Sequence, residues 1–228
     1  MARVPSTDGG EFEAYLAVPA AGSAPGVVVL QEIFGANKNM RAVCDWLASE
    51  GFLAACPDLY WRMEPGLEMD ESQRDRAREL GSKLDQSKVA EDIGSTMEFL
   101  KRQPKCSGRV GTVGFCLGGR LAYLSAVRKK PNAAVSYYGV GIDTVLAEAG
   151  NLSCPMLMHF AELDKFTPPA AIDAIRGALA EPRVTIQEYA GCDHAFARKG
   201  GANYNAEAAE LANARTLAFL RQSLGGAG

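Results

Sequence analysis

Three side chains in this sequence have the types and the chain order of a nucleophile, an orienting acid and a base: Cys116, Asp164 and His194. Cys116 lies in Val110-Gly111-Thr112-Val113-Gly114-Phe115-Cys116-Leu117-Gly118-Gly119. The G-x-C-x-G within it stands between an aliphatic run and a segment with helical spacing. This is the form of a strand–turn–helix bend that exposes a nucleophile, with sulfur in place of the commoner serine oxygen. Side chains at Gly114 or Gly118 would collide with the neighbouring strand and helix. The bend puts the thiol at a helix N-terminus, where the dipole and free N–H groups favour an anion. The N–H of Leu117, next in the chain, would face a developing oxyanion. One competing reading is a buried, inert cysteine in a glycine-rich turn. Another is a phosphate loop, but neither G-x-G-x-x-G nor G-x-x-x-x-G-K-[ST] occurs, and Gly139-Val140-Gly141-Ile142-Asp143-Thr144 lacks the third glycine.

A thiol nucleophile needs a base, and the base needs an acid to orient it. His194 lies in Gly191-Cys192-Asp193-His194-Ala195-Phe196, between the last strand-like run and the last helical one. Asp164 lies in Glu162-Leu163-Asp164-Lys165, just after a strand-like run ending near Phe160. Asp193 and Glu162 are rival acids, although Asp193 is badly placed to orient the ring of its own neighbour. His159 sits inside a strand pattern and reads as structural.

These residues need a scaffold that brings distant segments to one edge. Short apolar runs at Val27–Leu30, Phe52–Cys56, Val110–Val113, Ala133–Tyr138, Met156–Phe160 and Val184–Tyr189 read as strands. Between them, helical spacing runs over Asn39–Ser49, Glu71–Leu84, Val89–Leu100, Leu117–Val127, Pro168–Leu179 and Ala206–Leu224. Alternation of this kind predicts a mostly parallel twisted sheet with helices on both faces. Nucleophile, acid and histidine then fall in the order of the α/β-hydrolase fold, each after a strand.

Composition narrows the function. The chain has 228 residues, 47% hydrophobic and 22% charged, with 24 basic against 27 acidic residues and a net charge of −3. It is large enough to bury a core without disulfides or metal. The balance argues against nucleic-acid binding, which needs a basic excess. The start, MARVPSTDGGEFE, lacks the apolar stretch of a signal peptide, and Val27–Leu30 is too short to cross a bilayer. A cytoplasmic location without membrane association is expected. The six cysteines then read as thiols; with no C-x-x-C pair and two histidines, neither a metal nor another cofactor is expected. No repeat or linker divides the chain. One domain over residues 1–224, a loose tail over 225–228 and a monomer are expected.

Four segments, Gln31-Glu32-Ile33-Phe34-Gly35, Gly114-Phe115-Cys116-Leu117-Gly118-Gly119, Tyr137-Tyr138-Gly139-Val140-Gly141 and Asp193-His194-Ala195-Phe196, resemble the dienelactone hydrolase (carboxymethylenebutenolidase) family. That family consists of cysteine-dependent α/β-hydrolases without a large lid, and the resemblance covers nearly the whole chain. It implies that Cys116 is the nucleophile, His194 the base and Asp164 its partner. It places the oxyanion hole at the N–H groups of Ile33 and Leu117, and an additional carboxylate, Glu32, beside the thiol. It implies that Arg74 and Arg198 hold a substrate carboxylate, with Arg78 and Tyr138 also against the substrate. Departures from the family pattern are Arg78 for a tyrosine, Gly81 for a tryptophan and Ala195 for a serine. They imply a roomier, more cationic wall.

A free thiol titrates near 8.5, so about a few per cent is thiolate at neutral pH. A carboxylate close to sulfur resists its ionisation. Glu32 against Cys116 would therefore keep a resting thiol protonated, until an anionic substrate competes for Arg198 and frees Glu32 to accept the thiol proton. The expected reaction is hydrolysis of 4-carboxymethylenebut-2-en-4-olide, plain or chlorinated, to maleylacetate through a thioester. The alternatives are a broader carboxylesterase or thioesterase with the same three residues, and a non-catalytic α/β thiol protein.

Overall fold

The computed structural model describes residues 1–20 and 22–225. Its strands are β1 (Ala2–Pro5), β2 (Glu11–Ala17), β3 (Ala24–Leu30), β4 (Leu53–Pro57), β5 (Cys106–Phe115), β6 (Ala134–Tyr137), β7 (Met156–Ala161) and β8 (Val184–Tyr189). Its helices are α1 (Lys38–Ser49), α2 (Arg74–Ser82), α3 (Gln86–Lys101), α4 (Leu117–Arg128), α5 (Pro169–Ala178) and α6 (Ala206–Leu224). The strands form one sheet in the order β1-β2-β4-β3-β5-β6-β7-β8. Pairing is parallel from β4 to β8, and antiparallel where β1 meets β2 and β2 meets β4. This is the α/β-hydrolase fold, and among the described residues no large lid domain interrupts it.

Strands β3, β4, β6 and β7 are buried along their whole length, as strands covered on both faces must be. Their period-2 alternation sorts side chains into two cores. Val28, Leu30, Ala55 and Met158 pack with α3, α4 and α5. Val27, Val29, Cys56 and Leu157 pack on the other face with α1 and α6. Asn37 and Asp85 cap α1 and α3, each accepting two backbone N–H groups of the first turn.

A smaller apolar cluster, Phe34, Tyr60, Met69, Ala77 and Leu80, seats α2 above the sheet edge. The loop beneath it is pinned by Asp58, whose carboxylate accepts from Tyr60 N at 2.9 Å and from Gly66 N at 2.7 Å. Among the described residues, no helix is long and apolar enough to cross a membrane.

Three segments differ from the sequence expectation. The antiparallel pair β1–β2 was not read from sequence, though β2 alternates buried and exposed residues for most of its length. The stretch expected as one helix over Glu71–Leu84 is a 3-10 turn, Glu71–Gln73, running into α2. A 3-10 stretch, Ile142–Asn151, follows β6 where no element was expected. Of the expected tail, Gly225 ends α6 in a left-handed conformation, and residues 226–228 lie outside the described residues.

Candidate active site

β5 ends at Phe115 and α4 begins at Leu117, and the residue between them, Cys116, has φ 56° and ψ −115°. A side chain in this region costs free energy and persists only when its surroundings hold it there. Cys116 N–H donates to Tyr137 O at 3.0 Å, while its carbonyl accepts from Gly119 N at 3.0 Å and Val140 N at 3.3 Å. The glycine requirement is steric. A Cβ on Gly114 would lie 1.9 Å from Gly118 O, and one on Gly118 would lie 2.1 Å from Leu30 O.

Asp164 follows β7, and His194 follows β8. His194 Nδ1 and Asp164 Oδ2 are 2.7 Å apart, and Asp164 is 2% exposed. The other oxygen of Asp164 accepts from Phe166 N at 2.8 Å, which fixes the carboxylate plane. The imidazole is packed edge-on against Tyr138 and Phe166, with ring centres 5.2 and 5.0 Å away. Because Nδ1 is engaged, Nε2 is the ring nitrogen left for the cavity that Cys116 also lines. Burial alone would lower the His194 pKa, but the hydrogen bonds to Asp164 and Cys116 outweigh it and push it up to about 10.

The rival acids are occupied elsewhere. Asp193 accepts the His194 backbone N–H at 2.6 Å, and Glu162 accepts Gly191 N at 2.7 Å. His159 is fully buried between Tyr189 Oη at 2.8 Å and Thr216 Oγ1 at 3.0 Å, and burial pulls its pKa down to about 3.

Cys116 and His194 open into a cavity of about 280 Å³. Ile33 and Leu117 line it, and among the described residues neither N–H donates to a backbone carbonyl. The Glu32–Ile33 peptide is held from its carbonyl side by Gln31 Nε2 at 3.5 Å, which turns the Ile33 N–H the opposite way. The remaining walls include the apolar Phe34, Val140 and Phe166, the carboxylate of Glu32, and Arg74, Arg78, Arg120 and Arg198.

Arg198 stands at the centre of the charges. Its Nε is 3.1 Å from Glu32 Oε2, its Nη1 is 2.5 Å from Glu71 Oε1, and its guanidinium lies 5.3 Å from the Phe34 ring centre. Arg74 shares Glu71, at 3.4 Å. Burial raises the Glu32 pKa, against the pull of Arg198 and His194. The ion pair is close but not aligned as a hydrogen bond, and Arg198 Nε and Glu32 Oε1 are left without hydrogen-bond partners.

Glu32, expected beside the thiol, lines the same cavity as Cys116 and is engaged there with Arg198. One expectation changes here, that for Tyr138. Tyr138 does not line the cavity. It is 1% exposed, with φ 39°, and its ring backs His194 and Phe196 because the tight turn after β6 tucks it under the histidine loop. Arg78 does line the cavity, its guanidinium 5.8 Å from the Phe166 ring centre. Gly81 lines it too, leaving that stretch of wall bare, while Ala195 borders an adjoining hollow of about 140 Å³. Glu71 and Arg120 were missed. Glu71 is one of many acids in a charged helical stretch; Arg120, four residues beyond Cys116, shared one face of α4 with it and was legible by spacing.

A strained turn with a thiol at the head of a helix, followed in the chain by a carboxylate–imidazole pair on a mostly parallel sheet, defines an α/β-hydrolase. The chain belongs to the dienelactone hydrolase family, whose profile matches residues 12–224. A protein of Azospirillum brasilense is 46% identical over 97% of this chain and 98% of its own length. Carboxymethylenebutenolidase of Pseudomonas sp. (strain P51) is 42% identical over 94% of this chain and 91% of its own. A crystal structure from Klebsiella pneumoniae subsp. pneumoniae superimposes with a TM-score of 0.85 at 31% identity, covering 96% of both chains. The protein is an enzyme, a hydrolase acting on ester or lactone bonds.

Proposed function

We propose that the enzyme hydrolyses 4-carboxymethylenebut-2-en-4-olide, plain or chlorinated, to maleylacetate, with Cys116 as nucleophile and Asp164–His194 as its acid–base pair. The observation that carries this reading is the 2.7 Å Asp164–His194 contact beside a thiol that opens into an arginine-lined cavity. The name of the Pseudomonas relative supports the substrate class.

The substrate carboxylate enters by exchanging with the carboxylates already on Arg198 and Arg74, which read it in two-point fashion. This sets the lactone carbonyl over sulfur. His194, titrating near 10, holds its proton while sulfur attacks as the thiolate, the nucleophilic form of the thiol. Thiolate attack on the carbonyl builds an oxyanion toward the Ile33 and Leu117 N–H groups. Collapse forms the thioester and opens the ring to an enolate. The sulfur charge that held the imidazolium proton is then gone, so His194 gives that proton to the enolate. Neutral His194 takes a proton from water, hydroxide attacks the thioester, and loss of thiolate frees Cys116.

The test compares the lactone with an aryl ester lacking a carboxylate, in wild type and in Arg198→Gln. The lactone is expected to be turned over far faster, and Arg198→Gln to raise its KM tenfold or more. Equal turnover of the two by wild type would overturn the carboxylate-binding account.

A further inference from the structure

The four cavity arginines are not equivalent. Arg198 and Arg74 have carboxylate partners in Glu32 and Glu71. Arg78 and Arg120 have no carboxylate within 4.0 Å among the described residues. The two pairs also separate in space. The adjoining hollow of about 140 Å³ is bordered by Arg74 and Arg198 but by neither of the others.

Arg120 spends its hydrogen bonds on neutral groups: Gly141 O at 2.9 Å, Thr144 Oγ1 at 3.1 Å and Gln86 Oε1 at 3.3 Å. Its Nε is buried without a partner. It lies in the first turn of α4, where the helix dipole opposes a cation. Burial depresses its pKa, Asp143 acts the other way and Arg128 adds to the depression, but a guanidinium stays protonated. Arg78, on the same cavity-facing side of α2 as Arg74, rests against Phe166. Two like charges facing one partly desolvated cavity repel unless an anion lies between them. At one end the protein supplies that anion itself; at the other it does not.

We propose that Arg78 and Arg120 form a second anion subsite, and that the enzyme favours lactones or esters bearing two acidic groups, one for Arg198 with Arg74 and one for Arg78 with Arg120. This rests on the hydrolase reading above. It differs in asking for no exchange of carboxylates at the second subsite.

The experiment measures kcat/KM for the dienelactone and for its analogue with a second carboxylate on the ring, in wild type, Arg78→Gln and Arg120→Gln. The quantity read is the ratio of dicarboxylate to monocarboxylate kcat/KM within each protein, which is indifferent to how much of a variant is folded. The ratio is expected to be about tenfold or more in wild type, to drop toward one in each variant, and to recover in part in Arg120→Lys. A purely structural Arg120 would lower both rates and leave the ratio alone. A wild-type ratio of one or less, or a ratio unmoved by either substitution, overturns the subsite. Failure of the underlying reading shows separately, as dienelactone turnover that survives Cys116→Ala.

Discussion

Arg198 Nε and Glu32 Oε2 stand 3.1 Å apart at the edge of the cavity, and both side chains are almost wholly enclosed by protein. The arginine best placed to hold a substrate carboxylate is thus already occupied by one of the protein's own. A buried charge without its partner is costly. The pair therefore offsets the charge of Arg198 in the empty site and sets a threshold that only a competing anion crosses.

Removing the competitor exposes this directly. In Glu32→Gln the guanidinium keeps Glu71 but loses its buried partner. A non-hydrolysable carboxylate inhibitor is expected to bind several-fold more tightly, about tenfold at most, measured as a competitive inhibition constant at fixed ionic strength. Weaker or unchanged binding would remove Glu32 from the gating role.

The pH dependence of activity follows from His194. Its folded pKa is about 10, above the ordinary 6.5, so the imidazolium is present at neutral pH and is lost only as pH rises through about 10. The stability it contributes is complete below pH 6.5 and disappears over the same rise. Activity is expected to hold to about pH 9 and fall beyond it. Asp164→Asn, which removes the main support of the imidazolium, should lower kcat by at least about a hundredfold and bring the alkaline limb down by one unit or more. A variant with an unmoved alkaline limb would show that this limb belongs to another group.

Acid stability depends on the other histidine. Burial holds the folded pKa of His159 at about 3, below the unfolded 6.5. The unfolded chain therefore binds the proton first, and stability is lost as pH falls from 6.5 toward 3. The loss is about 2 kcal/mol between pH 7.5 and pH 5, readable as a shift in the urea midpoint. His159→Gln should flatten that slope while lowering stability at pH 7.5. An equally steep slope in the variant would assign the acid sensitivity elsewhere.

The parallel half of the fold was legible because buried strands such as Val27–Leu30 are uninterrupted aliphatic runs and the helices between them keep a 3.6-residue period. β1 and β2 were harder to see, since β1 is a four-residue edge strand and β2 pairs antiparallel between it and β4. The catalytic candidates were legible because a bend that needs Gly114 and Gly118 writes its sterics into sequence. Charge pairing was not. Nothing local distinguishes Glu71 from its acidic neighbours, and its partner Arg198 lies 127 residues away in the chain. Tyr138 was misplaced for a related reason. Its position after β6 points to the site edge, but the left-handed backbone there turns the ring beneath His194.

The central claim is that the Cys116 sulfur becomes acylated. Rapid quenching of the reaction with dienelactone, followed by mass measurement of the Cys116 peptide, tests it most directly, with Cys116→Ala assayed alongside. The expected result is a substrate-sized adduct on that peptide that decays with turnover, and no hydrolysis by the variant. Wild-type turnover by Cys116→Ala, with no adduct on the native peptide, would contradict the mechanism.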